Sequence, residues 1–134
     1  LKIYIAPVIS IKLEGIPEIL WETKDDLSEV SSPLATEEFV FVAASYGTVS
    51  CFDSKTGERY WFQDFTEGFY SSPILVGDDV YLMDMTGAMY IFKADKEFNL
   101  VNKCELGERS VTIPAFMHDR IYIRGLENLY CIGE

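Results

Sequence analysis

Alternation of apolar and polar positions recurs along this chain with a period near forty residues. Residues 31–52 (SSPLATEEFVFVAASYGTVSCF) and 71–92 (SSPILVGDDVYLMDMTGAMYIF) match position for position: Ser-Ser-Pro opens both, Val40 matches Val80, Gly47 matches Gly87 and Phe52 matches Phe92. A shifted third copy covers residues 111–132, with Pro114 for Pro73, Tyr122 for Tyr81, and Leu129 and Tyr130 for Met89 and Tyr90. Each unit divides into short alternating runs bounded by turn residues, the pattern of half-buried strands. In the clearest unit, strands are predicted at residues 34–36, 39–43, 48–53 and 59–64. Turns fall at Glu37 and Glu38, at Tyr46 and Gly47, and at residues 54–57 (Ser-Lys-Thr-Gly). The next unit repeats this with turns at Gly77 and Asp78 and at Thr86 and Gly87, an outer strand over residues 98–104, and Val101 where the earlier unit has Trp61.

Upstream, residues 3–5, 8–12 and 19–23 read as strands, with Gly15, Ile16 and Pro17 as a turn and the charged residues 24–29 as a link. The last unit carries strands at residues 113–117, 120–124 and 128–132. A repeat of this length with several strands per unit predicts β-propeller blades. The fold class is therefore all-β, a partial propeller of four-stranded antiparallel blades, two complete and two incomplete. A single domain spans residues 1–134, with blades at about 1–27, 31–65, 71–106 and 111–134. The first blade lacks an inner strand and the last an outer one, which suggests a piece of a longer chain, or self-association through open blade edges.

Composition narrows the classes of function. Hydrophobic residues make up 49% of the 134, and no run approaches the eighteen or so needed to cross a bilayer, so no direct membrane insertion is expected. With 22 acidic against 11 basic residues the formal charge is −11, which argues against nucleic acid and against anionic lipid surfaces. Three cysteines without a CxxC spacing point away from a disulfide framework. Cys51 and Cys131 stand at equivalent repeat positions, with Ile91 between them, and read as buried apolar strand residues; Cys104 reads as free.

The Ser-Pro opening, the Gly before the third strand and the Thr56-Gly57…Trp61 turn into the outer strand resemble the pyrroloquinoline-quinone-like (PQQ-like) β-propeller repeat. Trp21, forty residues before Trp61, keeps the Trp without the Thr-Gly. The ending IYIRGLENLYCIG (residues 121–133) resembles the C-terminal blade of propellers similar to the outer membrane assembly lipoprotein BamB. The resemblance implies a non-catalytic scaffold for protein–protein interaction in the periplasm or cell envelope, with no cofactor. Trp21 and Trp61 would then be blade-packing residues. The family also contains quinone-dependent dehydrogenases, so the C-terminal part of such an enzyme is an alternative, as is a propeller that binds a small ligand such as a saccharide.

The residues offer little catalytic chemistry. No adjacent cysteine pair is present, and the carboxylates at Asp25 and Asp26 and at Asp78 and Asp79 read as solvated turn residues. His118, the only histidine, falls in an exposed turn with Met117 and Asp119. In a meandering blade, the turns between second and third strands share a face with the blade-to-blade connections. That face would carry Tyr46, Phe65, Phe69, Tyr70, Asp84, Met85 and Arg124, whereas the opposite face is predominantly acidic. Aromatic residues, Met and Arg are enriched at interfaces. These seven are the candidate partner-binding residues; the competing reading is that Phe65, Phe69 and Tyr70 pack between blades.

Overall fold

A computed structural model describes residues 7–133, and every regular element among them is a strand. Strands β1 (Val8–Lys12) and β2 (Glu18–Thr23) form a two-stranded sheet. Four-stranded sheets follow from β3 (Leu34–Ala35), β4 (Phe39–Ala43), β5 (Thr48–Asp53) and β6 (Arg59–Asp64), and from β7 (Ile74–Val76), β8 (Asp79–Met83), β9 (Ala88–Lys93) and β10 (Leu100–Glu105). The last sheet has β11 (Ala115–Met117), β12 (Arg120–Arg124) and β13 (Leu129–Gly133). Each sheet is an antiparallel meander in chain order, the construction of a propeller blade.

Strands β1, β4, β5, β6 and β12 keep the bounds that alternation predicts and β13 is displaced by one residue; the other differences lie at inner and outer strands. Strand β3 ends before Thr36 because the Thr36 hydroxyl accepts the Phe39 N–H at 2.9 Å and turns the chain. Strand β11 starts after Pro114, which has no N–H to give a ladder. Strand β10 begins only at Leu100, because Phe98 turns inward onto Trp61, ring centroids 5.3 Å apart. The strand expected at residues 3–5 lies outside the described residues.

The sheets stack face to face, and alternation assigns each strand's two faces to two neighbours. Phe39, Phe41 and Ala43 of β4 join a core with Val80, Leu82 and Phe92 of the third sheet. Val40 and Val42 of the same strand join Trp21 and Phe52 toward the first sheet. All five residues of β4 are therefore buried. Phe41, Phe69 and Phe92 are fully enclosed, each stabilising the fold by about 1.5–3 kcal/mol relative to an exposed ring. A smaller cluster of Met83, Met89 and Ile123 joins the third sheet to the fourth.

A β-bulge recurs at one place in the first three sheets, between Ser10 and Ile11, between Cys51 and Phe52, and opposite Ile91 and Phe92. A bulge re-aims the next side chain. In two sheets that residue is Trp21, paired with Ser10, and Trp61, paired with Cys51. Trp21 donates its indole N–H to the Ser54 carbonyl at 2.9 Å, and Trp61 donates to the Asp95 carbonyl at 3.0 Å, each reaching the next sheet's last turn. Gly57 leaves room for this: a Cβ there would lie 2.7 Å from the Trp21 ring. The register places Asn102, not Val101, at the third such position, opposite Ile91. The turn ahead of β10 is one residue longer than that ahead of β6, which moves Val101 onto the bulge.

The turns between second and third strands are stitched to the chain segments that connect the sheets. Phe65 N–H donates to the Gly47 carbonyl at 2.8 Å and Leu106 N–H to the Gly87 carbonyl at 2.9 Å. Met85 N–H reaches the Gly68 carbonyl and Leu126 N–H the Arg109 carbonyl, both at 3.0 Å. Gly47 (φ 103°) and Gly87 (φ 94°) sit where the backbones meet; a Cβ on Gly47 would stand 2.6 Å from the Phe65 carbonyl, and one on Gly87 would collide with the Glu108 carbonyl.

Carboxylates lock the same turns. In the third sheet Asp84 accepts the Thr86 N–H at 2.9 Å, the Thr86 hydroxyl at 2.7 Å and the Ala88 N–H at 2.9 Å, and Tyr90 donates to its other oxygen at 3.3 Å. In the fourth sheet the matching residue is Gly125, and Glu108 reaches in from the connecting segment. Its carboxylate accepts Tyr130 O–H and Glu127 N–H, each at 2.7 Å, and the Asn128 side-chain N–H at 3.0 Å. In the second sheet the connecting segment again supplies the acid: Asp26 accepts the Ser50 hydroxyl at 2.7 Å and pairs with Arg59 at 2.6 Å. Asp26 is thus not a merely solvated turn residue, and Asp79 is likewise engaged, 2.7 Å from the Lys93 ammonium.

Two outcomes follow for stability. Gly87→Ala loses about 1–3 kcal/mol to backbone strain and more to the collision with Glu108, whereas Gly77→Ala, at φ 62° with open space around it, incurs the strain alone. Urea unfolding of the two variants checks that order. Donation from the Tyr130 hydroxyl first, then the Glu127 N–H, holds the Glu108 carboxyl below its usual range, and the Tyr60 hydroxyl, with the Thr56 and Lys55 N–H groups, does the same for Asp53. Depressed carboxyls stabilise the fold fully above the ordinary carboxylate range, near pH 4, and that contribution is lost as pH falls below it. The melting temperature of the wild-type chain should therefore fall steeply below about pH 4. Glu108→Gln should start lower at neutral pH and fall less.

Candidate partner-binding face

The stitched turns and connections form one face of the stack, and of the seven candidate residues the structure brings only some to its surface. Tyr46 (60% exposed), Tyr70 (42%) and Arg124 are exposed. Phe65 and Met85 are half-buried. Phe69 and Asp84 are interior, and this corrects their assignment as contact residues. The Phe69 ring packs edge-on against Phe65 at 5.3 Å and lies 6.1 Å from Tyr90, so it belongs to the packing between sheets. Asp84 has its carboxylate consumed by its own turn. Their placement in connections and turns says nothing of depth, which the neighbouring sheet decides.

Tyr46 projects from the turn between β4 and β5 beside a small hollow lined by Lys24, Asp26, Leu27 and Glu29. Its hydroxyl titrates above the usual range, through desolvation first and then through the charges of Asp26, Glu29 and Asp64. This end of the face is acidic, with Glu29 also accepting the Ser45 hydroxyl at 2.8 Å. Toward the fourth sheet the exposed cations are Arg109, whose Nε lies 3.5 Å from the Met85 carbonyl, and Arg124. Residues preceding the inner strands add an apolar row at one repeat position: Val30 (55% exposed), Tyr70 and Val111 (42%). Arg109, Val30 and Val111 are not among the seven candidates. The row was legible as a position at the forty-residue period; Arg109 carried no sequence signal, because its exposure depends on how the connection folds back over Met85.

The opposite face is built from acidic turns, of which the one at Asp53 is the most fully hydrogen-bonded. Asp53 accepts the Lys55 and Thr56 N–H groups and, at 2.6 Å, the Tyr60 hydroxyl, which is pushed up to about 12 chiefly by that hydrogen bond. A hollow of about 280 Å³ lined by Glu38, Asp53, Ser54, Lys55, Tyr60 and Lys96 lies there, open to solvent. Among the described residues no three His, Cys, Asp or Glu side chains converge as metal ligands. His118 is exposed in a left-handed turn (φ 53°). Cys51 is buried, its thiol pushed up to about 12 by desolvation and by Asp95. Cys131 is exposed, contrary to its expected burial, because its face of the fourth sheet has no covering sheet among the described residues; Cys104 is free and exposed.

Solved structures share this architecture. BamB from Moraxella catarrhalis superposes with a TM-score of 0.63 over 85% of this chain and 33% of its own, at 17% identity. A europium-containing methanol dehydrogenase matches with a TM-score of 0.62 over 73% of this chain and 21% of its own, at 15% identity. The computationally designed Ika4 protein matches with a TM-score of 0.71 over 95% of this chain and 84% of its own, at 14% identity. At these identities the likeness is one of fold, and the chain spans about a third of the length of the Moraxella BamB structure. No curated protein matches the sequence. The family model of outer membrane protein assembly factor BamB matches residues 17–125. With its bulge-aimed tryptophans, glycine turns and four meandering sheets, the chain belongs to that PQQ-like propeller family.

Proposed function

We propose that this chain is part of a non-catalytic propeller scaffold that mediates protein–protein interaction in the cell envelope, in the assembly of outer membrane proteins. The observation that carries the reading is the match to the BamB assembly-factor family over residues 17–125. The connection face gives it a physical basis. Tyr46 and Tyr70 present rings with few rotatable bonds, Arg124 and Arg109 add multidentate donors, and the locked glycine turns hold all four in place before a partner arrives. Tyr and Arg are among the residue types enriched at interface hot spots.

The likeness to methanol dehydrogenase is a likeness of fold, and one fold hosts several functions. On the connection face the carboxylates nearest the candidate residues serve structure: Asp84 and Glu108 each hold a turn, and Asp26 ties the connecting segment to strands β5 and β6 through Ser50 and Arg59. Protein contact through the exposed rim is the role these side chains fit.

A photo-crosslinking amino acid placed at position 46 or 70, and separately at position 37 or 78 on the acidic face, tests the assignment inside cells. Adducts to an outer-membrane assembly protein from positions 46 and 70, and none from 37 and 78, are the expected outcome. Adducts confined to positions 37 and 78 would place the docking surface on the acidic face instead. Tyr46→Ala with Tyr70→Ala should abolish partner binding while shifting the melting temperature little, since both rings are exposed.

A further inference from the structure

The turn between β4 and β5 is the point where three chain segments meet on the connection face. Ser31 Oγ donates to the Ala43 carbonyl at 2.6 Å and Ser45 Oγ to the Glu29 carboxylate at 2.8 Å, which ties residues 29–31 to one side of the turn. On the other side Phe69 N–H donates to the Ala44 carbonyl at 3.2 Å, and the Glu67 carbonyl lies 3.1 Å from where a Cβ on Gly47 would stand. Val30, Tyr46 and Tyr70 come one from each segment, and all three are exposed. The connections on both sides of Tyr46 are in place, so its exposure belongs to this joint. The matching turn positions hold Thr86 and Glu127, and neither offers a ring.

The charge around these rings is mostly of one sign. Residues 24–30 and 64–70 carry Asp25, Asp26, Glu29, Asp64 and Glu67 against Lys24. Asp26 is already paired with Arg59 at 2.6 Å. Glu29, Asp64 and Glu67 are exposed, and among the described residues none of them forms an ion pair. Three of the carboxylates act on Tyr46 itself: after desolvation, the charges of Asp26, Glu29 and Asp64 hold its hydroxyl above the usual range. An aromatic face attracts a lysine or arginine side chain, because the ring quadrupole puts negative charge there. Opposite potentials across an interface speed encounter and fix orientation, and like charges repel wrong partners. The apolar part of the patch gives a bare cation nothing to bind, whereas a protein segment uses both parts.

We propose that the Tyr46–Tyr70 end of the connection face docks a basic segment of a protein partner, which lays apolar side chains on Val30 and Tyr70 and sets a lysine or arginine over the Tyr46 ring among the carboxylates. The inference rests on the partner-binding reading and adds to it the sign of the partner's charge.

Photo-crosslinking from position 70 in cells, followed by tandem mass spectrometry of the adduct, identifies the partner segment directly. The segment should carry net positive charge, and Glu29→Gln with Glu67→Gln should cut the adduct yield several-fold. Glu37→Gln with Asp78→Asn removes the same charge from the opposite face and should leave the yield unchanged. In solution, a fluorescent peptide of alternating lysine and valine should bind the purified chain. Its affinity should fall several-fold with the Glu29 and Glu67 pair of substitutions or with Tyr46→Ala, and change little with the Glu37 and Asp78 pair. Equal losses from the two pairs would reduce the attraction to the acidity of the whole chain and overturn the proposal. A neutral or acidic crosslinked segment would overturn it too, while leaving partner binding at this face intact. Absence of any adduct from positions 46 and 70 would overturn the partner-binding reading itself, and this inference with it.

Discussion

The constraint on which this structure rests is that an interior sheet must satisfy two neighbours at once. Strand β4 shows the consequence most fully, since Phe39, Phe41 and Ala43 serve one joint while Val40 and Val42 serve the other. A strand buried on both faces cannot shift by one residue without exchanging its two sets of side chains. Register is therefore held from both sides, and the bulges that aim Trp21 and Trp61 recur at the same place because that register is shared. The joints differ in quality: aromatic packing dominates the second, an indole wedge the first, and the third has a small aliphatic cluster beside a hollow half open to solvent.

A second economy lies in the turns. The turns between the second and third strands of the last two sheets carry N–H groups that take a carboxylate acceptor, and leaving such a group unpaired is costly where it is buried, as at Ala88. The third sheet meets the need from within through Asp84; the fourth meets it from the connecting segment through Glu108 beside Gly125. In the second sheet Asp26 serves the strands rather than the turn, accepting the Ser50 hydroxyl of β5 and pairing with Arg59 of β6. The charge thus stays in place while the residue that supplies it moves. Acidic residues at spaced positions in the connecting segments, which composition alone presents as surface charge, are in part structural.

These devices bear directly on function. A face whose turns are pinned by glycine contacts and carboxylates presents Tyr46, Tyr70 and Arg124 on an ordered backbone, which is the basis on which partner docking there is proposed. The same pinning withdraws Phe69 and Asp84 from contact, although both lie in the segments that form the face. Membership of the BamB family suggests interaction between proteins in general, and the connection face is the surface proposed for it.

Much of the fold was legible in the sequence, because burial on alternate positions writes itself as alternation and repetition writes itself as a period. The bounds of β4, β5, β6 and β12, the glycine turns and the tryptophan spacing were all of this kind. Properties that depend on a neighbouring sheet were not. The exposure of Cys131, the burial of Phe69 and the pairing of Asp26 with Ser50 and Arg59 involve residues far apart in the chain. One added residue in a turn moved Val101 off the tryptophan position and put Asn102 there, a shift invisible until strand pairing fixed the register. Local pattern determined which residues form strands and which faces they turn inward; tertiary packing decided which side chains fill each joint, because filling a joint is a property of two sheets and not of either alone.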